Sequence, residues 1–520
     1  MTSSLARTPG RFGAGENGGV DRRPASDAGV VPVADARDLD PSVIGAKAAS
    51  LARMVDLGLR VPPAFVVTTD VCRRVLQEGH LPGPTVEAIR SAVTDLELAT
   101  GRVFGGDDPL LVSVRSGAAT SMPGMMDTVL DLGFGPGTRA ALAARAGATF
   151  ARGCHARFLA GWASIVLGVD PPRSDDPDEL ARALAGSVPD DPHRQLVEAV
   201  EAVFRSWDNE RARAYRERHG VDDGLGTAVV VQAMVFGNQG AGSGAGVVSS
   251  RDPSTGARGL RGDLLVDAQG EDVVAGSHRP RPIEELGVRW PEVDRELRAA
   301  VGAIESATRD MVDVEFTIED GTLHLLQSRV GARASAAAVR IAVDLVDEGA
   351  ITVAEALARV DEAQLDRASR PTIDPEGPDL LAAGLGACPG VATGEVCLSS
   401  DHVATHDGPV VLVRRETSPD DIRGMVASAG VLTAQGGLVS HAALIARELD
   451  LPAVVGVEEL EVDEATETAR VGGQVLRDGD VITIDGTTGR VHLGAAPVVS
   501  AAPSGHLARI RAWQAELHPG

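Results

Sequence analysis

Apolar residues along this chain fall into many short runs rather than a few long ones. Ala64-Phe65-Val66-Val67-Thr68, Leu110 to Val114 and Thr227 to Val235 are continuous apolar stretches near Gly or Pro, the mark of buried strands. Asp313 to Ile318 alternates strictly, as a half-buried strand does, and Asp320-Gly321 behind it is a hairpin signal. Helical spacing takes over elsewhere. A helix from about Ala46 to Leu57 stops before Gly58, and residues 137–215 are rich in Ala and Arg with helical periodicity. Ala336, Val339, Val343 and Val346 form one helical stripe that Gly349 ends, and Thr352-Val353-Ala354-Glu355 has the form of a capping box.

The elements become shorter after the Pro- and Gly-rich segment 374–378. Val410 to Val413 reads as a strand, and Ser418-Pro419-Asp420-Asp421 as a helix start that Gly430 closes. Val431 to Thr433 is a strand, and a Gly-Gly loop then opens a helix from about His441 to Leu449. Pro452 to Val457 and Val481 to Asp485 are further strands. The pattern predicts an α/β (α+β) chain divided into five parts. These are a disordered tail (1–29), a large mixed domain (30–332), a helical connector and linker (333–378), a small β/α domain (379–497) and a C-terminal tail (498–520).

Composition narrows the function classes. Hydrophobic residues are 43% and aromatics 3% of 520 residues, so Val, Leu, Ile and Ala build the core. The 49 basic and 74 acidic residues give a net charge of −25, which argues against nucleic acid as a partner. An acidic protein that binds a polyphosphate must supply local Lys and Arg, and a divalent ion. Cys72, Cys154, Cys388 and Cys397 form no CxxC pair and fit neither a zinc site nor a disulfide framework, which predicts a reducing, cytoplasmic setting. No apolar run of about 18 residues occurs, so no membrane partner is expected.

Three stretches carry candidate chemistry. In Gln435-Gly436-Gly437-Leu438-Val439-Ser440-His441 a strand, a double glycine and a histidine at a helix start form one unit. Backbone N–H groups there suit an anion, and the helix dipole keeps the imidazole neutral and nucleophilic. Packing or capping alone is the plainer reading of such a histidine. Asp313, Glu315 and Thr317 share one strand face, so two carboxylates about 7 Å apart can hold Mg²⁺ against polyphosphate oxygens. The return strand offers Gln327 and Arg329, again two apart; an acidic solvent face on an ordinary hairpin is the alternative. The glycine-rich segment 237–246 joins two strands and can bring N–H groups close to phosphates, although it lacks the ending of a Walker loop. Lys47 after Gly45 and Arg115 at a strand end are candidate phosphate ligands, and Gly124, beside three methionines, leaves room for a ligand.

Taken together these stretches resemble pyruvate phosphate dikinase. The matching text is Leu111 to Gly117, Ser121-Met122-Pro123-Gly124-Met125-Met126-Asp127-Thr128, Gln269 to Gly276, Asp313 to Thr317, and Gly436-Gly437 through Ser440-His441-Ala442-Ala443, within about residues 35–497. The resemblance implies an ATP-grasp-like nucleotide-binding domain followed by a swivelling phosphohistidine domain. It implies that Lys47, Arg115, Asp313, Glu315, Gln327 and Arg329 bind ATP, with Mg²⁺ on Asp313, Glu315 and Gln327. It places Gly124 and Glu271 near the phosphates and makes His441 the phosphoryl carrier. The family's histidine takes the β-phosphoryl of ATP with release of AMP. Phosphate then cleaves the product to pyrophosphate and phosphohistidine, which a C-terminal barrel uses to turn pyruvate into phosphoenolpyruvate.

Departures qualify that picture. The 23 residues after Pro497 are too few for a barrel of roughly 250 residues, so a separate barrel protein is the expected partner. Ala119 stands where the family has Arg, and Ala245 and Val439 stand where it has Thr. Three outcomes are open at this level: an enzyme running the ATP half-reaction, an autophosphorylating kinase with another small-molecule acceptor, or a nucleotide-binding remnant that does not turn over.

Overall fold

A computed structural model of the chain describes residues 28–120, 122, 125–172, 174–275, 280–369, 372–373, 380–463, 466, 468–471, 473–499 and 504–517. Nearly all of the expected N-terminal tail, the linker 374–378, and Gly124 lie outside these residues.

Two five-stranded sheets make the first lobe. The first contains Val30–Pro32 (β1), Ala64–Val67 (β2), Val112–Gly117 (β3), Thr128–Leu132 (β4) and Ala228–Ala233 (β5), in the order β1-β2-β5-β3-β4. The second contains Gly244–Arg251 (β6), Arg258–Val266 (β7), Arg281–Pro282 (β8), Val312–Glu319 (β9) and Thr322–Val330 (β10), in the order β8-β7-β6-β9-β10, antiparallel throughout. The glycine-rich segment therefore links two sheets, and its last three residues belong to β6.

Alternation assigns each face. Val112 and Val114 point into the core shared with helices such as Ala148–Gly161 and Pro192–Arg205, which sends Arg115 to the other side. Val312, Val314, Phe316 and Ile318 pack with Val248 and Leu264 against the helices Pro41–Asp56 and Pro291–Thr308. Asp313, Glu315 and Thr317 therefore share the opposite face, across from Ser249, Val247 and Ala245 of β6. Asp320 (φ 47°) and Gly321 (φ 73°) make the tight turn that the Asp-Gly pair promises.

The first helix begins earlier than expected. Pro41 and the Asp40 carboxylate, which accepts the Ser42 N–H, start it, and Gly45 (φ 75°, ψ 155°) kinks it. A Cβ at Gly45 would lie 1.8 Å from the Gly117 carbonyl, so only glycine lets this helix abut the end of β3.

The small domain is built on an eight-stranded mixed sheet. Val391–Cys397, Val410–Arg414, Gly430–Thr433 and Ala453–Val455 run parallel at its centre, with the histidine helix His441–Leu449 between the last two strands in sequence. Gly430 opens a strand there instead of ending a helix. The preceding helix, Ile422–Ala427, stops at Ser428, and a Cβ at Gly430 would collide with Ala392 and Ile484.

The connector is helical, with helix Ser335–Asp347 and a complete Thr352/Glu355 capping box. Residues 498–520 are more than a tail. Val498–Val499 pairs with Thr372–Ile373, and helix Gly505–Leu517 packs Leu507, Ile510 and Trp513 on the connector. Arg251, 1% exposed, pairs with Glu305 inside the first lobe and ties that lobe to this connector through Glu348. No described helix is long and apolar enough to cross a membrane.

Candidate active site

The kinked first helix delivers Lys47 against Gly117, and β3 of the first sheet delivers Arg115. The second sheet brings Asp313 and Glu315 on β9 into register with Arg329 and Gln327 on β10. The Arg115 guanidinium spans the gap, donating to Glu315 Oε2 at 3.2 Å and Gln327 Oε1 at 3.3 Å. Arg329 Nε lies 3.4 Å from Asp313 Oδ2, and the Ser249 hydroxyl donates to Asp313 Oδ1 at 2.6 Å. These six expected residues thus converge on one cleft. Glu271 lies in the short helix Gly270–Ala275, with its side chain outside the described residues.

The electrostatics of the cleft suit a polyanion. Burial, reinforced by Arg115, lowers the Lys47 pKa to about 7, while Glu315 opposes the shift. Burial alone would raise Glu315, yet Arg115, Arg329 and Lys47 together hold it below the usual carboxylate range. Three cations crowd the two carboxylates Asp313 and Glu315, so a ligand carrying negative charge relieves repulsion. Glu315 and Gln327 already focus two oxygens from neighbouring strands on one positive centre, a donor set that fits a hard cation. Among the described residues no group of three or more His, Cys, Asp or Glu could hold a metal, so phosphate oxygens would have to complete any such shell.

His441 opens its helix with Ser440 as N-cap. The ring is half-buried. Its Nδ1 lies 3.0 Å from the Thr417 hydroxyl, and its Nε2 has no partner. Burial lowers its pKa, and the Asp421 carboxylate partly opposes this. The shift runs in the direction expected from the helix dipole, with burial as its leading cause.

The loop ahead of the ring is not a set of free amides. The Val439 N–H donates to Asp263 Oδ2 at 3.0 Å, and the Leu438 N–H also serves Asp263. Arg447 donates to the Leu438 carbonyl at 2.7 Å. Asp263 stands on β7, on the sheet face that carries Val247 and Glu315. The histidine loop accordingly sits on the same sheet face as the polyphosphate candidates.

Thr417, Asp263 and Arg447 were not singled out from the sequence. Thr417 directly precedes a segment read only as a helix start. Asp263 carried one signal, a carboxylate leading the apolar run Leu264-Leu265-Val266. Burial raises its pKa to about 6 against the Val439 N–H and Arg447.

The matches to known proteins follow this geometry. Residues 41–103 and 80–284 match the pyruvate phosphate dikinase AMP/ATP-binding domain, and residues 406–489 match the PEP-utilising enzyme mobile domain. Pyruvate, phosphate dikinase from Rhizobium meliloti is 44% identical over 522 residues, covering 91% of this chain and 58% of that protein. The Clostridium symbiosum protein of the same name is 41% identical, with 91% and 58% covered. Pyruvate, phosphate dikinase 2 of Oryza sativa is 39% identical with the same coverage. The chain spans little more than half the length of these relatives.

Proposed function

We propose that this chain, which belongs to the pyruvate phosphate dikinase family, carries out the ATP half of a dikinase reaction on His441. The observation that supports the reading is the shared sheet face: the His441 loop rests on β7 and β6, on the face where the neighbouring β9 carries Asp313 and Glu315. Phosphoryl transfer is mainly positioning and charge neutralisation, and the cleft supplies both. Lys47, Arg115 and Arg329 neutralise the phosphates. Asp313, Glu315 and Gln327 would hold Mg²⁺, which would neutralise the β- and γ-phosphates.

With Nδ1 held by Thr417, the Nε2 lone pair attacks the β-phosphorus and AMP leaves with the bridging oxygen. Inorganic phosphate then attacks the terminal phosphorus of the pyrophosphoryl group, giving pyrophosphate and phosphohistidine. Delivery of that phosphoryl group to pyruvate falls to a barrel outside the described residues, on the same or another chain.

The test is incubation with Mg²⁺, phosphate and ATP labelled at the β position. Acid-labile, alkali-stable label on the wild-type protein and none on His441→Ala is the expected result. Wild-type protein that binds ATP but takes up no label refutes the reading.

A further inference from the structure

Val439 stands two residues before His441, and its side chain is 2% exposed. Its apolar companions Ala245, Val247, Leu265, Ala268 and Val273 all come from the first lobe. Ala245 is fully buried and lies directly across from Leu265 on one side and Thr317 on the other. The Thr317 hydroxyl is buried and has no partner. Ala245 and Val439 are two of the positions where threonine was expected from the family, and the structure puts both in one cluster across the lobe boundary.

We propose that Val439 is an apolar key, and Ala245 the matching floor of its socket, and that the pair sets the position of His441 against the phosphate-facing sheet. The proposal rests on the phosphohistidine reading above. Val439 acts through the loop and is a positioning residue. Its N–H is fixed to Asp263, and a Cβ at Gly437 would lie 2.1 Å from the same carboxylate, so loop, key and socket seat as one piece. The apolar contact itself holds without directional bonds, so the hydrogen bonds given up at this seat when the lobe leaves are those of the loop amides to Asp263.

The same chemistry couples the two positions. A hydroxyl at 439 alone enters a buried apolar site without an assured partner, and a threonine at 245 alone, although it can pair with Thr317, adds bulk to the fully buried floor of the socket; each is unfavourable. Hydroxyls on both sides can satisfy each other and Thr317.

The experiment uses the full chain as Val439→Thr, Ala245→Thr, the double variant and Val439→Ala. Two readouts are taken: single-turnover labelling from β-labelled ATP, and amide hydrogen exchange of the segment 436–441. Each threonine variant alone is expected to slow labelling at saturating ATP by about tenfold, a loss on the scale of one unsatisfied buried polar group, and to speed exchange of the loop, with KM for ATP unchanged. The double variant recovers most of both. Val439→Ala, which adds no hydroxyl, also speeds exchange. Single variants with wild-type exchange and labelling, or losses that add in the double variant, overturn the proposal. Wild-type protein without label, but with the same coupled pattern in exchange, sinks the phosphotransfer reading and leaves the key standing.

Discussion

Replacing Thr417 by valine tests whether one hydroxyl aims the nucleophile. Thr417 is 7% exposed, and its Oγ1 lies 3.0 Å from His441 Nδ1. If Nδ1 donates to this oxygen, the lone pair must sit on Nε2, the ring atom without a partner. Valine keeps the shape and removes the acceptor. A hydrogen bond of this kind contributes about 0.5–1.5 kcal/mol. At 1.36 kcal/mol per factor of ten, single-turnover labelling should slow about two- to twelvefold. The stranded Nδ1–H in a half-buried site pushes the result toward the upper end. Thr417→Ser restores the acceptor and should stay within about twofold of wild type. Rapid-quench labelling with β-labelled ATP measures all three proteins. A valine variant at wild-type speed refutes the argument. Equal slowing by serine, which keeps the hydroxyl, and by valine, which loses it, would trace the effect to packing around position 417 and not to the hydrogen bond.

Three further outcomes follow from the same site and its supports. Lys47 loses its charge as pH rises through about 7, so ATP affinity measured by calorimetry should weaken between pH 6 and 8. Lys47→Met should flatten that dependence and cost roughly 10- to 100-fold at pH 6, the range for a hydrogen bond to a charged group. Asp263 titrates near 6 in the folded chain against about 3.9 unfolded, so between those values the folded state holds the extra proton. Its contribution is full below about pH 4 and lost as pH rises through 6. Relative to Asp263→Asn, denaturant unfolding should show wild-type stability falling over that window by up to about 3 kcal/mol. Arg251→Met strands Glu305 beside a buried site, leaves Glu348 only the exposed Arg258, and should destabilise the protein by about 3 kcal/mol in the same assay. A loss under about 1 kcal/mol would mean that the two carboxylates escape to solvent.

The features legible in the sequence are those that a single element dictates. Period-two alternation put Asp313 and Glu315 on one face, but the register that follows from the turn Asp320-Gly321 would set Gln327 opposite Val314; a bulge at Leu326, which no turn signal announces, brings Gln327 and Arg329 opposite Glu315 and Asp313. The start of the histidine helix was legible for a similar reason: Ser440 caps what the double glycine interrupts. Even the apolar stripe Leu507, Ile510 and Trp513 is a local helical signal, although its docking partner lies far upstream and the segment reads as a tail without it. Thr417, Asp263 and Arg447 escaped because their meaning is relational. Asp263 is an unremarked strand residue until Val439, 176 positions later, donates to it. The same contact changes the chemistry inferred for the loop. Backbone N–H groups that a helix start would offer to phosphate donate instead to a carboxylate of the other lobe. On the proposed reading, an anion arriving on His441 would be neutralised by Lys47, Arg115 and Arg329, because the loop amides are already engaged by Asp263. The side chains proposed to favour transfer and the amides of the histidine loop thus have separate partners, a division that no single stretch of sequence encodes.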